Sequence, residues 1–177
     1  MIKALFAVLM ASMLLTPLIF SGCSSPKETP AGEGFAIYLT RDDIPVAIMP
    51  ALSHVEITEK PVISIDDIIS YTKETHAIEL TAAAYERVNE LKITAIGKSF
   101  VVCVDKQPIY WGAFWAGYSS QSFDSITIIV PAFPPGELPA NSILIGLGYP
   151  SESFFKGEDP RSNPEIRKSL EAAGKLK

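Results

Sequence analysis

The fold is decided by the stretch Phe100-Val101-Val102-Cys103-Val104, in which every side chain is apolar. A strand that is apolar at successive positions is covered on both faces, so this run predicts the centre of a sheet. Asp105-Lys106-Gln107-Pro108 follows and predicts a hairpin-like turn. Residues 109–118 then return as a long aromatic strand, and the two strands together indicate a largely antiparallel sheet.

Further strands are predicted on both sides of this hairpin. They are segments rich in β-branched, aromatic and aliphatic residues that are bounded by turn residues. The segments are 35–40, 76–80, 125–130 and 143–149, with 44–49 and 54–58 as two shorter candidates. In addition, Ser64 or Asp66 is placed to cap a short helical turn within the segment 62–71.

Two helices are predicted from their end signals. Thr81 is suited to cap a helix over residues 82–91, where apolar residues recur at the helical spacing. Asn163 is suited to cap a second helix that begins at Pro164 and is terminated by Gly174.

Four segments in the middle third of the chain resemble a known family. They are Ser64-Ile65-Asp66-Asp67-Ile68, Ile78-Glu79-Leu80-Thr81, Gly97-Lys98-Ser99-Phe100-Val101-Val102-Cys103-Val104-Asp105 and Pro108-Ile109. Their order resembles the head subdomain in the first periplasmic domain of SecD, a component of the protein-export translocon, over residues 64–130. The resemblance implies an α+β fold with a curved, mainly antiparallel sheet and one helix packed on a face. It supplies no catalytic residues and does not imply export activity.

The N-terminal residues predict the location of the protein. Met1-Ile2-Lys3 provides one positive charge, residues 4–20 are almost entirely apolar, and Ser21-Gly22-Cys23 closes the run. A short basic start, an apolar core and small residues before a cleavage site are typical of a secretory signal. Small residues directly before Cys23 resemble the lipobox of prokaryotic lipoproteins, in which the cysteine thiol receives a diacylglycerol and the signal is cut just before it.

The lipobox resemblance implies a division of the chain into three parts. Residues 1–22 are a signal peptide, residues 23–34 are a flexible tether, and residues 35–177 are a single extracytoplasmic α+β domain. Lipid on Cys23 would anchor this domain to a cell membrane. An uncleaved transmembrane anchor is the main alternative, because the apolar run approaches the roughly 20 residues that span a bilayer. A buried core helix is the remaining alternative.

Charge and cysteine content argue against several classes of partner. Removal of residues 1–22 removes one charged residue, Lys3, so 14 basic residues stand against 20 acidic ones. An acidic chain without a basic run is a poor candidate for nucleic acid or for anionic lipid, so we expect membrane contact only through Cys23. If Cys23 carries lipid, no intramolecular disulfide can form, and Cys103 is predicted to be a small buried hydrophobic residue.

The densest aromatic cluster is Tyr110-Trp111-Gly112-Ala113-Phe114-Trp115-Ala116-Gly117-Tyr118. On a strand Tyr110, Phe114 and Tyr118 would share one face, and Trp111 and Trp115 the other. One interpretation is a stacking platform for a sugar, a peptide or another flat ligand, with Trp111, Trp115 and Tyr118 as the candidate binding residues. The alternative is that one face is core and the other packs under residues 131–139.

No segment specifies a reaction. The only histidines are His54 and His76, and neither stands at a metal-ligand spacing, so no metal site and no cofactor are predicted. His76 is expected at the surface or at a strand edge. The sequence therefore favours a lipid-anchored binding or accessory domain that is not an enzyme, with another envelope protein as a potential partner.

Two other functions stay open at this point. A cell-envelope hydrolase could use His76 with Ser119 or Asp105, on composition alone. A structural component of an envelope or export-associated assembly would instead require an exposed apolar patch over Trp111 and Trp115.

Overall fold

A computed structural model describes residues 32–132 and 138–177 of the chain. These residues contain seven strands: β1 (Phe35–Leu39), β2 (Ile68–Thr72), β3 (Ala77–Leu80), β4 (Lys98–Val104), β5 (Gln107–Ala116), β6 (Phe123–Val130) and β7 (Ser142–Tyr149). They also contain two α-helices, α1 (Ala82–Asn89) and α2 (Pro164–Ala172). Short 3-10 turns lie at Val46–Ile48, Leu52–His54, Ile65–Asp67 and Glu152–Phe154.

The seven strands form one open sheet in the order β1-β4-β5-β6-β7-β3-β2. Every neighbouring pair is antiparallel except β5 and β6, which run parallel from Gly112 opposite Ile126 to Ala116 opposite Val130. The prediction of an α+β fold with a mainly antiparallel sheet, a helix on one face and a C-terminal helix is therefore confirmed.

The stretch that decides the fold occupies the predicted position. Strand β4 pairs with β1 on one side and β5 on the other, and Phe100, Val101, Val102 and Cys103 are all fully buried. Asp105 and Lys106 form the turn to β5, each with positive φ, as two-residue hairpin turns that follow the strand twist require. The Asp105 carboxylate accepts a hydrogen bond of 2.8 Å from the Gly34 amide and so fixes the entry of the chain into β1.

One face of the sheet, here called the inner face, carries the main core and both helices. The Thr81 side chain caps α1, which buries Ala84 and Val88, and the predicted cap is confirmed. Asn163 caps α2, which buries Ile166 and Leu170 against the same core. The core itself is formed by alternate residues of the strands, including Phe35, Val102, Phe114, Ile126 and Ile145.

The capping turn predicted near Ser64 is also present. Ser64 and Asp67 bond reciprocally across the turn Ile65–Asp67, with the Ser64 amide and hydroxyl each 2.8 Å from the Asp67 carboxylate. Arg87 of α1 lies 2.7 Å from the same carboxylate. Burial alone would raise the pKa of Asp67, but the bonds from Ser64 and Arg87 outweigh it and lower that pKa. The turn is thereby tied to the helix beside it.

The opposite face of the sheet, here called the outer face, is covered by an irregular segment. Residues 44–49 and 54–58 are not strands, so both of the shorter strand predictions are wrong. They form the turns Val46–Ile48 and Leu52–His54 and a single bridge between Thr40 and Ile57. Pro45 and Pro50 explain the first error, since proline has no N–H to donate to a strand ladder.

Candidate functional site

Strand β5 sends its aromatic side chains to opposite faces of the sheet, as the alternation predicts. Tyr110 and Phe114 enter the main core, while Trp111 and Trp115 lie on the outer face. Strand β5 ends at Ala116, so Tyr118 stands beyond the strand and does not continue the row of Tyr110 and Phe114.

Trp115 is closed on the outer face and is only 3% exposed. Its ring stacks on Phe123 with the ring centroids 4.9 Å apart and the planes within 9° of parallel. Tyr149 packs against it at 6.0 Å, and a Cβ at Gly97 would lie 2.5 Å from the indole. Val46 and Ala113 belong to the same buried cluster. The alternative cover was the proline-rich segment, of which residues 133–137 lie outside the described residues.

Trp111 is partly open to solvent and lines a shallow groove of about 170 Å³. We call this the Trp111 groove, and it is bordered by Leu52, Tyr110, Trp111, Ser125, Ile126 and the loop from Phe155 to Pro160. Phe123 contacts Trp111 with the ring centroids 6.0 Å apart, so the same ring that covers Trp115 supports Trp111 from one side. Trp111 and Trp115 thus belong to one aromatic stack through Phe123, and of the two tryptophans Trp111 is the one that lines the groove.

The lining of the Trp111 groove mixes one large aromatic surface with polar groups. Ser125, Lys156 and Glu158 supply a hydroxyl, an ammonium and a carboxylate. Tyr110 also borders the groove, and its buried hydroxyl has no hydrogen-bond partner in the described parts of the chain. Burial holds the pKa of Tyr110 well above its usual value, so this hydroxyl stays protonated. The groove can therefore stack a ring and hydrogen-bond its polar substituents.

Tyr118 is separate from this groove. It is 73% exposed, and its hydroxyl reaches the carbonyl of Ile93 at 3.4 Å. Ile96, in the turn of residues 94–97, is also exposed. The structure therefore brings Trp111 and Trp115 together and leaves Tyr118 outside the Trp111 groove. Cys23, the predicted lipidation site, lies outside the described residues.

A larger cleft of about 670 Å³ lies where β7 passes from β6 to β3. We call it the His76 cleft. Its floor is formed by outer-face residues of β6 and β7, namely Thr127, Ile129, Leu144 and Gly146, and its walls carry Glu74, His76, Glu152, Asp159 and Arg161. Sequence reasoning did not find this cleft, because its charged residues come from three distant segments.

His76 is not the surface residue that was predicted; it is only 8% exposed. Its positive φ of 56° turns the chain before β3 begins, so the side chain leaves the strand pattern and packs against Tyr71. The Tyr71 hydroxyl and His76 Nδ1 form a hydrogen bond of 2.8 Å. The local turn geometry explains the error, since the alternation that places His76 at an edge holds only within a strand.

Arg161 and Asp159 form a tight ion pair beside His76. Arg161 Nε and Nη2 donate to the two carboxylate oxygens of Asp159 at 2.9 and 2.7 Å, and Nη1 donates to the Ile145 carbonyl at 2.8 Å. The bonds from Arg161 lower the pKa of Asp159. Burial, reinforced by the charge of Arg161, lowers the pKa of His76, and Asp159 only partly opposes this. These surroundings therefore make His76 harder to protonate than a free imidazole.

The three residues considered for a hydrolase take separate partners. His76 bonds to Tyr71, the Ser119 hydroxyl donates to the Ala95 carbonyl, and Asp105 accepts from the Gly34 amide. The hydrogen bonds of residues 32–132 and 138–177 thus do not join them into one catalytic group. Within the same residues no cluster of three or more His, Cys, Asp and Glu side chains is placed to hold a metal ion.

No known protein family, curated protein or solved structure matches this chain. The likeness to the lipobox and to the SecD head subdomain therefore stays a prediction from the sequence.

Proposed function

We propose that this protein is a lipid-anchored, non-catalytic binding domain on the extracytoplasmic face of a membrane, and that it holds a saccharide ring of its ligand against Trp111. The observation that carries the proposal is the difference in exposure between the two tryptophans of the aromatic stack. Trp115 is sealed under Phe123 and Gly97, whereas Trp111 rests on the same stack and borders an open groove. A rigid aromatic surface that is supported from behind and open in front is suited to stacking.

The size of the Trp111 groove supports a single ring as the bound group. Its volume of about 170 Å³ is below the range of roughly 300–1,000 Å³ that is typical of pockets for drug-sized ligands. One saccharide ring would fill it, and the rest of a glycan chain would lie outside.

The polar lining favours a saccharide over an aromatic side chain. A saccharide ring presents polarised C–H groups to the negative face of an indole and directs hydroxyls outward. Ser125, Lys156 and Glu158 stand around the groove to bond such hydroxyls.

Anchoring through Cys23 is supported by the sequence pattern of residues 1–23. In the described residues, neither helix is long and apolar enough to cross a bilayer. A diacylglycerol supplies two chains, and each buried CH₂ contributes about 0.8 kcal/mol, which holds a domain firmly on a membrane.

Metabolic labelling with a fatty acid analogue tests the anchor. The Cys23→Ser variant should take up no label and should accumulate as precursor with its signal attached. Cys103→Ser is the matched control and should be labelled and processed normally. Label that persists on Cys23→Ser would remove the anchoring proposal.

Titration of the full-length protein in detergent with a mixture of soluble cell-wall saccharides tests the site. Binding, followed by calorimetry, should weaken by at least about tenfold in Trp111→Ala, because stacked aromatic anchors commonly contribute about 2 kcal/mol or more. Tyr118→Ala is the matched control, since it removes an exposed ring outside the groove, and it should bind like the unaltered protein. Equal binding by Trp111→Ala and the unaltered protein would contradict the proposal, as would saccharides that fail to bind at all.

A further inference from the structure

The loop of residues 155–161 borders both cavities of this region. Residues Phe155 to Pro160 form one wall of the Trp111 groove, while Asp159 and Arg161 form part of the wall of the His76 cleft. The loop is therefore a direct covalent link between the wall of the cleft and the wall of the groove.

The loop is held against the sheet by Phe155, which packs on the main core, and by two attachments through hydrogen bonds to strand carbonyls. At its start, the Lys156 amide donates to the Asp124 carbonyl at 2.8 Å. At its end, Arg161 donates to the Ile145 carbonyl at 2.8 Å, at the position where β3 stops pairing with β7. Arg161 is oriented for this bond by its two-pronged contact with Asp159. The second attachment depends on a guanidinium whose side chain is only 13% exposed.

His76 stands next to the second attachment, and several groups face it. Tyr71 of β2 forms a hydrogen bond with His76. From the loop, the charge of Arg161 lowers the pKa of His76 and the charge of Asp159 raises it. Glu74 and Glu152 line the same cleft. Tyr110 of β5 is a further titratable neighbour, and its pKa is affected by the charges of Arg161 and Asp159. Burial makes the Tyr71 hydroxyl hard to ionise by raising its pKa, so a protonated Tyr71 hydroxyl shares the hydrogen bond with His76 Nδ1.

We propose that protonation of His76 at acidic pH changes the shape of the Trp111 groove by releasing the loop of residues 155–161. Protonation turns both ring nitrogens into donors, so the Tyr71 hydroxyl can then only accept from the ring, and it places a second cation beside Arg161. Repulsion between the two cations then weakens the bond from Arg161 to Ile145 and frees the loop of residues 155–161 to shift along Trp111. The proposal deepens the function proposed above and rests on the Trp111 groove as the binding site.

The direction of the pH dependence follows from the lowered pKa of His76. An unfolded chain binds this proton at a pH near 6.5, whereas the folded protein resists it to a lower pH. The contribution of neutral His76 to stability is therefore fully present above about pH 6.5, and it is lost as the pH falls from there through the folded-state pKa. Solvent protons can reach the ring because His76 lines the open cleft.

Fluorine NMR of the full-length protein with 5-fluorotryptophan measures the loop without any ligand. The chain has two tryptophans, and the Trp111→Phe variant assigns the two resonances. The Trp111 resonance should shift in a single titration step with a midpoint below about pH 6.5. The Trp115 resonance should stay constant over the same range, because Trp115 is enclosed by Gly97, Phe123 and Tyr149.

His76→Asn and His54→Asn form the matched pair of variants. Asparagine tolerates the positive φ at position 76 and does not titrate, so His76→Asn should abolish the step. His54 is exposed, and His54→Asn should leave the step unchanged. A step that persists in His76→Asn, or that disappears in His54→Asn, would overturn the proposal.

Circular dichroism in the far ultraviolet separates local movement from unfolding. The spectrum should stay constant through the pH of the Trp111 step. A loss of secondary structure at the same pH would overturn the proposal that His76 acts locally on the loop. Because no saccharide is present, the step is expected even if saccharide binding fails. Conversely, saccharide binding that depends on Trp111, without a pH step in the Trp111 resonance, would overturn the proposed role of His76 and leave the proposed binding site standing.

Discussion

The two faces of the sheet are covered by different kinds of element, and the difference explains why an aromatic surface stays accessible on one of them. On the inner face, α1 and α2 place regular apolar rows on the strands, and core residues such as Val102, Phe114 and Ile145 are fully buried. On the outer face, the irregular segment of residues 44–58 covers Cys103 and Val101 but does not seal Trp111.

The cause of the difference lies in the covering elements. A helix repeats its apolar side chains every turn, so a short helix can close a strip of sheet completely. A segment interrupted by Pro45 and Pro50 makes separate turns and leaves gaps between them. The partly open aromatic surface is therefore a consequence of how the outer face is covered.

The largest expected effect comes from a charge on the inner face. Val102→Asp places an unpaired carboxylate in the core and should prevent folding, since the cost of several kcal/mol compares with a total stability of roughly 5–15 kcal/mol. Circular dichroism and urea unfolding measure it. Leu144→Asp on the outer face is the control, because this side chain is 37% exposed and its charge stays hydrated. A folded Val102→Asp protein would show that the inner face is not closed.

A smaller effect separates the two tryptophans of the outer face. Trp115→Ala should lower the free energy of unfolding by about 3–5 kcal/mol, because it leaves a cavity between Phe123, Tyr149 and Gly97. Trp111→Ala should lower it by less than half as much, since one side of that ring already meets solvent in the groove. Chemical denaturation of both variants gives the comparison. Equal losses would mean that Trp111 is as enclosed as Trp115.

The smallest expected effect is on Cys103, whose thiol should react very slowly with a thiol reagent in the folded protein. Burial raises the pKa of this thiol to about 12, and residues Met49, Leu52, Val55 and Ile57 cover its cluster. In the Cys23→Ser variant, a thiol reagent should label Cys103 only at the rate set by unfolding, and the rate should rise with urea. Fast labelling that is independent of urea would show that the irregular cover opens locally.

Local signals were sufficient for the parts of the fold that depend on neighbouring residues. The apolar run at Phe100–Val104, the turn at Asp105 and the caps Thr81 and Asn163 all stand where they were predicted. Each of them depends on side chains a few residues apart. The same kind of reasoning correctly divided Trp111 and Trp115 from Tyr110 and Phe114, because alternation is a property of a single strand.

Contacts between distant segments were beyond such signals. The connection between β5 and β6 is only residues 117–122, yet the two strands run parallel, an arrangement that usually requires a longer crossover. This connection leads into Phe123, the ring that stacks on Trp115 and supports Trp111. No local pattern in the sequence pairs these rings.

The sequence alone was sufficient to predict the central strand and the helix ends, and the family resemblance implied the class of the fold; lipid attachment at Cys23 stays a prediction. The openness of Trp111 beside a closed Trp115, and the burial of His76 beside Arg161, come from tertiary packing. The physical reason is one of range. Alternation, caps and turns are set by side chains within a few residues of each other, whereas burial and electrostatic environment are set by whichever distant segment packs alongside.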